Sequence, residues 1–247
     1  MKADPFVQLR LLDLQALDSA LDRLTHKRKT LPQIVEIAKL DGLLDTLRGD
    51  VVLAETAVGD LQHDLDKAEA DIEQVRARKD RDEKHLNSGA VTQPKQLEEL
   101  QHEVATLTKR QSDLEDAELE VMERMVEAQA RLAELVASRT EHETARGLMV
   151  DEREAAFLEI DAEAESTTKE RAAVAAEIPA DLLALYEKVR ASEGGIGAAA
   201  IARGRCEGCH LDLMNNEKAE FRAAPTDEVL RHDSCRRIVV RTAESGL

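Results

Sequence analysis

The 247-residue sequence is poor in aromatic side chains, with three Phe, one Tyr and no Trp. Because large aromatic side chains fill much of an ordinary globular interior, their scarcity argues against a spherical domain. Proline is also scarce, with five residues, so little interrupts a long helix. Charge is abundant instead, since 34% of the residues are Asp, Glu, Lys or Arg. This balance is typical of long helices exposed to water.

Long apolar runs are missing as well. No stretch approaches the roughly 18 apolar residues that mark a membrane-spanning helix. The start of the chain, MKADPFVQLRLLD, lacks the basic region and unbroken apolar core of a signal peptide. These features predict a cytoplasmic protein with no membrane partner.

The formal net charge of -17 is unevenly distributed along the chain. Residues 1–179 hold 24 Lys and Arg against 40 Asp and Glu, whereas residues 180–247 hold 10 against 11. An acidic surface repels phosphate groups, so we expect any nucleic acid to contact the C-terminal part.

Apolar residues follow a strict 3-4 spacing through the first half of the chain. All twelve positions of this pattern are apolar: Ile37, Leu40, Leu44, Leu47, Val51, Ala54, Val58, Leu61, Leu65, Ala68, Ile72 and Val75. A period of 3.5 residues predicts a coiled-coil seam, in which each such side chain inserts between residues of a partner helix.

A second pattern of the same period follows, with ten of twelve positions apolar: Leu97, Leu100, Val104, Leu107, Gln111, Leu114, Glu118, Val121, Met125, Ala128, Leu132 and Leu135. Between the two patterns, turn residues and Pro94 occupy the segment around residues 87–93. The two helices are therefore predicted to form an antiparallel hairpin that reverses near residue 91. This folding places residue i opposite roughly residue 183 minus i, so that Leu40 lies near His142 and Leu65 near Leu119.

The N-terminal stretch repeats the spacing at Leu14, Leu17, Leu21 and Leu24, and is expected to lie opposite Ile160 and Ala164. Pro32 is predicted to kink or break this first arm. The predicted domains are a coiled-coil hairpin over 1–179 and a small ribbon domain over 180–247. In the second domain we expect a helix over 181–190 and strands over 198–202 and 238–241. Another short helix, capped by Asn215 or Asn216, is expected to run through Ala223.

The ribbon domain contains a metal-binding pattern, in which 22 residues separate the pair Cys206 and Cys209 from the pair His232 and Cys235. Two residues between each pair let one tight turn point two ligands at a single tetrahedral ion. Thiolates favour Zn²⁺ over Mg²⁺ or Ca²⁺. Each such turn with its two ligands is called a knuckle. His210 is the rival fourth ligand, but its ring would have to turn back onto the knuckle that carries Cys209.

One zinc held by four protein ligands has no open position for water or substrate, so the ion is predicted to be structural. The histidines of the hairpin have no Cys or His at ligand spacing. The sequence therefore predicts a protein that is not an enzyme and has no small-molecule substrate.

Six arginines surround the two knuckles and form a candidate phosphate-binding patch: Arg203, Arg205, Arg231, Arg236, Arg237 and Arg241. The alternative is that they balance the negative charge of the metal site and pair with nearby carboxylates. Only Tyr186 and Phe221 are available for base stacking, which disfavours single-strand reading on an aromatic platform.

These residues together resemble the bacterial coiled-coil and zinc-ribbon family. The resemblance covers the whole chain and includes the tip LNSGAVTQPKQL, the segment Ile178–Leu182, the Cys206–His210 knuckle and the approach to the second knuckle. Relatives usually carry cysteine where this chain has His232, and often glycine where it has Arg236. The resemblance implies an adaptor or regulator in gene expression, associated with RNA or DNA.

Three hypotheses of function follow from the sequence. An enzyme, such as a one-zinc hydrolase or a ligase-type recruiter, would need an open coordination site or a second metal site, and the sequence shows neither. A nucleic-acid-associated adaptor requires an exposed arginine patch, with the coiled coil as a spacer or partner surface. A protein-only scaffold, or a chaperone-like regulator of a transcription factor, instead requires the coiled coil or its tip at residues 88–92 to bind the partner.

Overall fold

The computed structural model describes all 247 residues, and the chain is mainly helical, as predicted. Its elements are α1 (Pro5–Lys29), α2 (Pro32–Asn87), α3 (Pro94–Ala176), α4 (Ala180–Ser192), β1 (Ala198–Ala202), β2 (Arg205–Cys206), α5 (Asn215–Ala223), β3 (Leu230–Arg231) and β4 (Ile238–Val240). No helix combines the length and apolar character needed to cross a bilayer.

The chain divides into two compact units, one made of Glu36–Met149 and the other of Met1–Val35 with Val150–Leu247. The predicted boundary between a hairpin over 1–179 and a ribbon over 180–247 stays a prediction.

The unit Glu36–Met149 is a helical hairpin made of most of α2 and the first part of α3. All twelve positions of the first apolar pattern are buried or half-buried, and in the second pattern only Leu97 is exposed. The reversal falls between Asn87 and Pro94, as the turn residues predicted. The 3-4 spacing therefore identified the seam of the hairpin.

The pairing of the two arms differs from the predicted one by about one to two turns of helix. Arg146 donates to Asp41, where the prediction placed residue 142, and Lys79 donates to Gln111 at 3.0 Å. The turn sequence locates the reversal, but it does not determine which turns of two long helices face each other. The polar seam positions Lys79 and Gln111 bond to one another, and a paired polar contact of this kind can fix the register.

Gly49 offers a direct test of the hairpin, because it lies inside α2 and a Cβ added there would meet nothing within 4 Å. We expect Gly49→Ala to stabilise this unit by about 0.5–1 kcal/mol, since glycine in a helix costs about that much relative to alanine. Gly89→Ala is the contrasting variant, since Gly89 has a φ of +69° and alanine there costs about 1–2 kcal/mol. Urea unfolding followed by circular dichroism measures both, and stabilisation by both variants would contradict the assignment of helix and turn.

In the other unit, α1 ends at Lys29 and α2 begins at Pro32, so the predicted break at this proline is confirmed. Leu24 and Leu31 form a buried cluster with Ile160, and Ala164 packs against it, which confirms the predicted contact for Leu24. Leu14 packs with Leu182 and Tyr186 instead. Arg10 pairs with Glu177, and the backbone N–H of Ala3 donates to the carbonyl of Asp227 at 2.7 Å. The N-terminal residues therefore lie beside both the end of α3 and the ribbon.

The ribbon contains a four-stranded sheet in the order β2-β1-β4-β3. The central strands β1 and β4 are parallel, whereas the outer pairs are antiparallel. One face packs against α1 and α4 through Leu11, Leu14, Tyr186, Ala198 and Ile238. A second cluster contains Ile201, Leu213, Phe221 and Val239 together with Cys206. The metal-ligand candidates thus lie at the smaller of two adjoining apolar clusters.

A buried polar network joins α1 to the elements that carry the ribbon. Asp18 is only 2% exposed and accepts hydrogen bonds from Tyr186 Oη at 2.6 Å and from Arg171 Nε at 2.6 Å. Burial and the bond to Asp18 raise the pKa of Tyr186, which keeps its hydroxyl as a donor. Gln15 Oε1 accepts the N–H of Gly197 at 2.7 Å, just before β1. These bonds fix where the first strand starts.

Candidate metal centre

The two knuckles have the same backbone turn. The N–H of His210 donates to the carbonyl of Cys206 at 2.8 Å, and the N–H of Arg236 donates to the carbonyl of His232 at 2.8 Å. Both His210 and Arg236 have a φ of +60°, directly after the last cysteine of their knuckle. This conformation favours glycine. Arginine there adopts a conformation that costs about 1–2 kcal/mol.

The sheet brings the four predicted ligands to one point. Cys206 ends β2, which pairs with β1, and His232 follows β3, which pairs with β4. The ligand atoms of Cys206, Cys209, His232 and Cys235 all lie within 4.8 Å of one another. His210 is exposed and is not part of this group. The four side chains could therefore hold one metal ion.

The imidazole of His232 points one of its two ring nitrogens at the cysteine thiols. Its Nδ1 lies 3.3 Å from Cys209 Sγ and 3.1 Å from Cys235 Sγ, so this nitrogen faces the thiols. The residue is completely buried, as is Cys206, while Cys209 and Cys235 are half-buried. Nδ1 is thus the atom placed to bind an ion.

The thiols differ in how readily they ionise. Burial raises the pKa of Cys206 to about 12. At Cys209 burial acts in the same direction, but the N–H of Leu211 and the thiols of Cys235 and Cys206 outweigh it and lower the pKa. Cys209 is therefore the readier of the two to become a thiolate.

Glu217 is a site residue that the sequence reasoning missed. It is 1% exposed, and its carboxylate accepts the N–H of Met214 at 3.0 Å and the N–H of Asp233 at 2.9 Å. The predicted cap of α5 by Asn215 or Asn216 is wrong, because both residues lie inside the helix and the cap position is Met214, whose N–H is accepted by Glu217. The only signal in the sequence was an acidic residue in the first turn of a predicted helix, which is common.

The six arginines fall into two groups. Arg237 donates to the carbonyls of Ile196 and Glu193, and Arg241 donates to those of Phe221 and Ala224 at the end of α5. Their guanidinium groups satisfy carbonyls that the ends of helices and loops leave unpaired. Arg203, Arg205, Arg231 and Arg236 are exposed, although Arg203 and Arg205 line a surface cavity with three carboxylates, those of Glu207, Asp212 and Glu244.

The fold and the site together define a coiled-coil hairpin protein with a small C-terminal sheet that carries a Cys₃His cluster. A family model described as the CT398-like coiled coil hairpin domain matches residues 14–194. A protein of Mycobacterium tuberculosis strain H37Rv, named only as uncharacterized, is 37% identical over 245 residues that cover 98% of each chain. The chain therefore belongs to the CT398-like coiled-coil hairpin family.

Solved structures agree with this assignment. One from Mycobacterium smegmatis has a TM-score of 0.87 and 34% identity, covering 98% of this chain and 100% of that one. CT398 of Chlamydia trachomatis has a TM-score of 0.70 at 21% identity, over 96% of this chain and 98% of its own, which shows the shared fold. The coiled-coil part of the resemblance stated from sequence is thus confirmed, and the family model ends before Cys206.

Proposed function

We propose that this chain is a non-enzymatic zinc-binding adaptor whose ribbon contacts RNA or DNA. The observation that supports the zinc is the cluster of three cysteines and one histidine, with all ligand atoms within 4.8 Å. Three thiolates and an imidazole suit the tetrahedral geometry of Zn²⁺ and its preference for sulfur and nitrogen. A bound zinc would join the two knuckles, and so tie β2 to β3.

The adaptor role follows from the closed ligand set. Four protein ligands complete a tetrahedral zinc, so the ion supplies folding energy and offers no position for an activated water. The chain would then act by connecting partners, with the hairpin as a spacer or as a partner surface.

The nucleic-acid contact is assigned to the arginines whose guanidinium groups are exposed. Arg231 and Arg236 are the best pair, because Arg231 Nε bonds the carbonyl of Arg236 at 2.9 Å and the two therefore lie together. Arg203 and Arg205 share their cavity with three carboxylates, which weakens attraction to phosphate there. Arg231 uses only Nε for that bond and is exposed. Arg237 and Arg241 are half-buried, each donates to at least two backbone carbonyls, and they would support the ribbon instead.

Binding to a short RNA or DNA duplex tests this proposal. We expect weak, non-specific binding whose affinity falls with salt, since each neutralised phosphate adds a slope of about -0.9 in log K against log salt for duplex DNA. Replacing both Arg231 and Arg236 with Gln is expected to lower the affinity. It should also reduce the magnitude of the slope by the contribution of about two phosphate contacts. Fluorescence anisotropy at several salt concentrations measures both quantities.

Arg222→Gln is the matched control, because Arg222 is an exposed arginine of the ribbon on α5. It should leave the salt slope nearly unchanged, and neither variant should alter the zinc content. An absence of binding at low salt, or binding that persists without the ribbon, would favour the alternative of a protein-only scaffold that binds through the coiled coil.

A further inference from the structure

Glu217 is a buried acidic side chain that joins two parts of the ribbon. One carboxylate oxygen, Oε2, accepts the N–H of Met214 at the start of α5, and the other, Oε1, accepts the N–H of Asp233 in the second knuckle. The carboxylate is therefore held by backbone atoms on both sides. Burying a carboxylate away from water costs free energy unless its oxygens accept further hydrogen bonds.

The neighbouring ring of His232 has one satisfied and one unsatisfied nitrogen. Nδ1 lies 3.1 Å and 3.3 Å from two cysteine sulfurs. Nε2 is buried and makes no hydrogen bond to the protein, and it lies 3.8 Å from Glu217 Oε2. A small rotation of the ring would bring Nε2 and this oxygen within hydrogen-bonding distance.

We propose that Glu217 is a positioning residue for the metal centre: it accepts the hydrogen of His232 Nε2 and so leaves Nδ1 free to bind the ion. A neutral imidazole carries one hydrogen, and Nδ1 binds a metal only when that hydrogen is on Nε2. Carboxylates commonly fix metal-binding histidines in this way, and losing one lowers metal affinity by about 10–100-fold. The inference rests on the proposed zinc site.

Whether Glu217 is needed depends on which kind of ligand residue 232 supplies. A thiolate has no second nitrogen and needs no partner of this kind. Histidine does need one, and the buried carboxylate of Glu217 supplies it. The effect of Glu217 on zinc binding should therefore depend on whether residue 232 is histidine.

A double-mutant cycle on the full chain tests this dependence. The four proteins are the wild type, Glu217→Gln, His232→Cys and the double variant, and competition with a chromophoric chelator gives the zinc affinity of each. We expect Glu217→Gln to lower the affinity by about 10–100-fold with His232 present. With Cys at position 232, the same change should leave the affinity nearly unchanged.

Nitrogen NMR of the zinc-loaded wild type gives a second readout that a merely structural role would not move. It should show His232 bound through Nδ1 with the hydrogen on Nε2. An equal loss of affinity in both backgrounds would overturn the proposal, because Glu217 would then act through the two backbone N–H groups it accepts. If Glu217→Gln fails to fold but the double variant folds and binds zinc, the proposal is supported.

The same measurements distinguish an error in the proposed zinc site from an error in the role of Glu217. If neither the wild type nor His232→Cys binds zinc, the function itself is wrong and this inference is overturned with it. If the wild type binds zinc tightly and Glu217→Gln binds it equally well, only the role of Glu217 is overturned.

Discussion

Cys209→Ser is expected to abolish stoichiometric zinc binding and to disorder the ribbon while α2 and α3 stay helical. The second apolar cluster is small and includes Cys206, with Cys209 and Cys235 packed against it. A structural zinc contributes an apparent binding free energy of about 10–16 kcal/mol in small zinc domains, much more than such a cluster can supply. Serine keeps the size of the side chain but provides no thiolate.

Elemental analysis measures the zinc, and amide NMR resonances of residues 198–240 report the order of the sheet. Circular dichroism should change little, because the long helices dominate the helical signal. His210→Ala is the matched control, since His210 is adjacent in sequence but exposed and outside the cluster. One zinc per chain in Cys209→Ser, or unchanged resonances in that variant, would contradict the proposed site.

The long helices were predictable because their physical signal is repeated many times. A 3-4 spacing over twelve positions leaves one face apolar, and that face is the one the structure buries. Pro32 and Pro94 mark helix starts because proline fits the first turn and disrupts the interior. The predicted pairing of the arms was wrong by about one to two turns because similar apolar side chains recur along both seams.

The metal-ligand set was also visible in sequence, because ligand spacing within a tight turn is a local property. Glu217 was not visible, since its contacts with His232 and the second knuckle depend on how α5 packs against the sheet. The same holds for Arg237 and Arg241, which belong to a sequence cluster of positive charge but donate to distant carbonyls. Charge counted along the chain does not reveal which guanidinium groups are already occupied.

The buried network around Asp18 is another feature that only the structure shows, and it connects the N-terminal helix to the ribbon. Asp18 bonds Tyr186 of α4 and Arg171 of α3, and Arg171 also pairs with Glu187. The sequence shows Asp18 as one acidic residue among many in a helix that carries both charges. Its burial results from the packing of three helices.

Asp18→Ala is therefore expected to destabilise the unit that contains the ribbon by about 3–5 kcal/mol, the usual cost of removing one partner from a buried ion pair. The variant leaves the Tyr186 hydroxyl without its acceptor and removes the carboxylate that Arg171 pairs with.

Asp22→Ala is the matched control, one turn further along α1, where an exposed carboxylate pairs with Arg190. Exposed pairs contribute about 0–1 kcal/mol, so this variant should unfold almost like the wild type. Urea unfolding of both variants, followed by the fluorescence of the single tyrosine, Tyr186, measures the difference. Equal losses of stability in the two variants would show that the network does not hold the N-terminal helix to the ribbon.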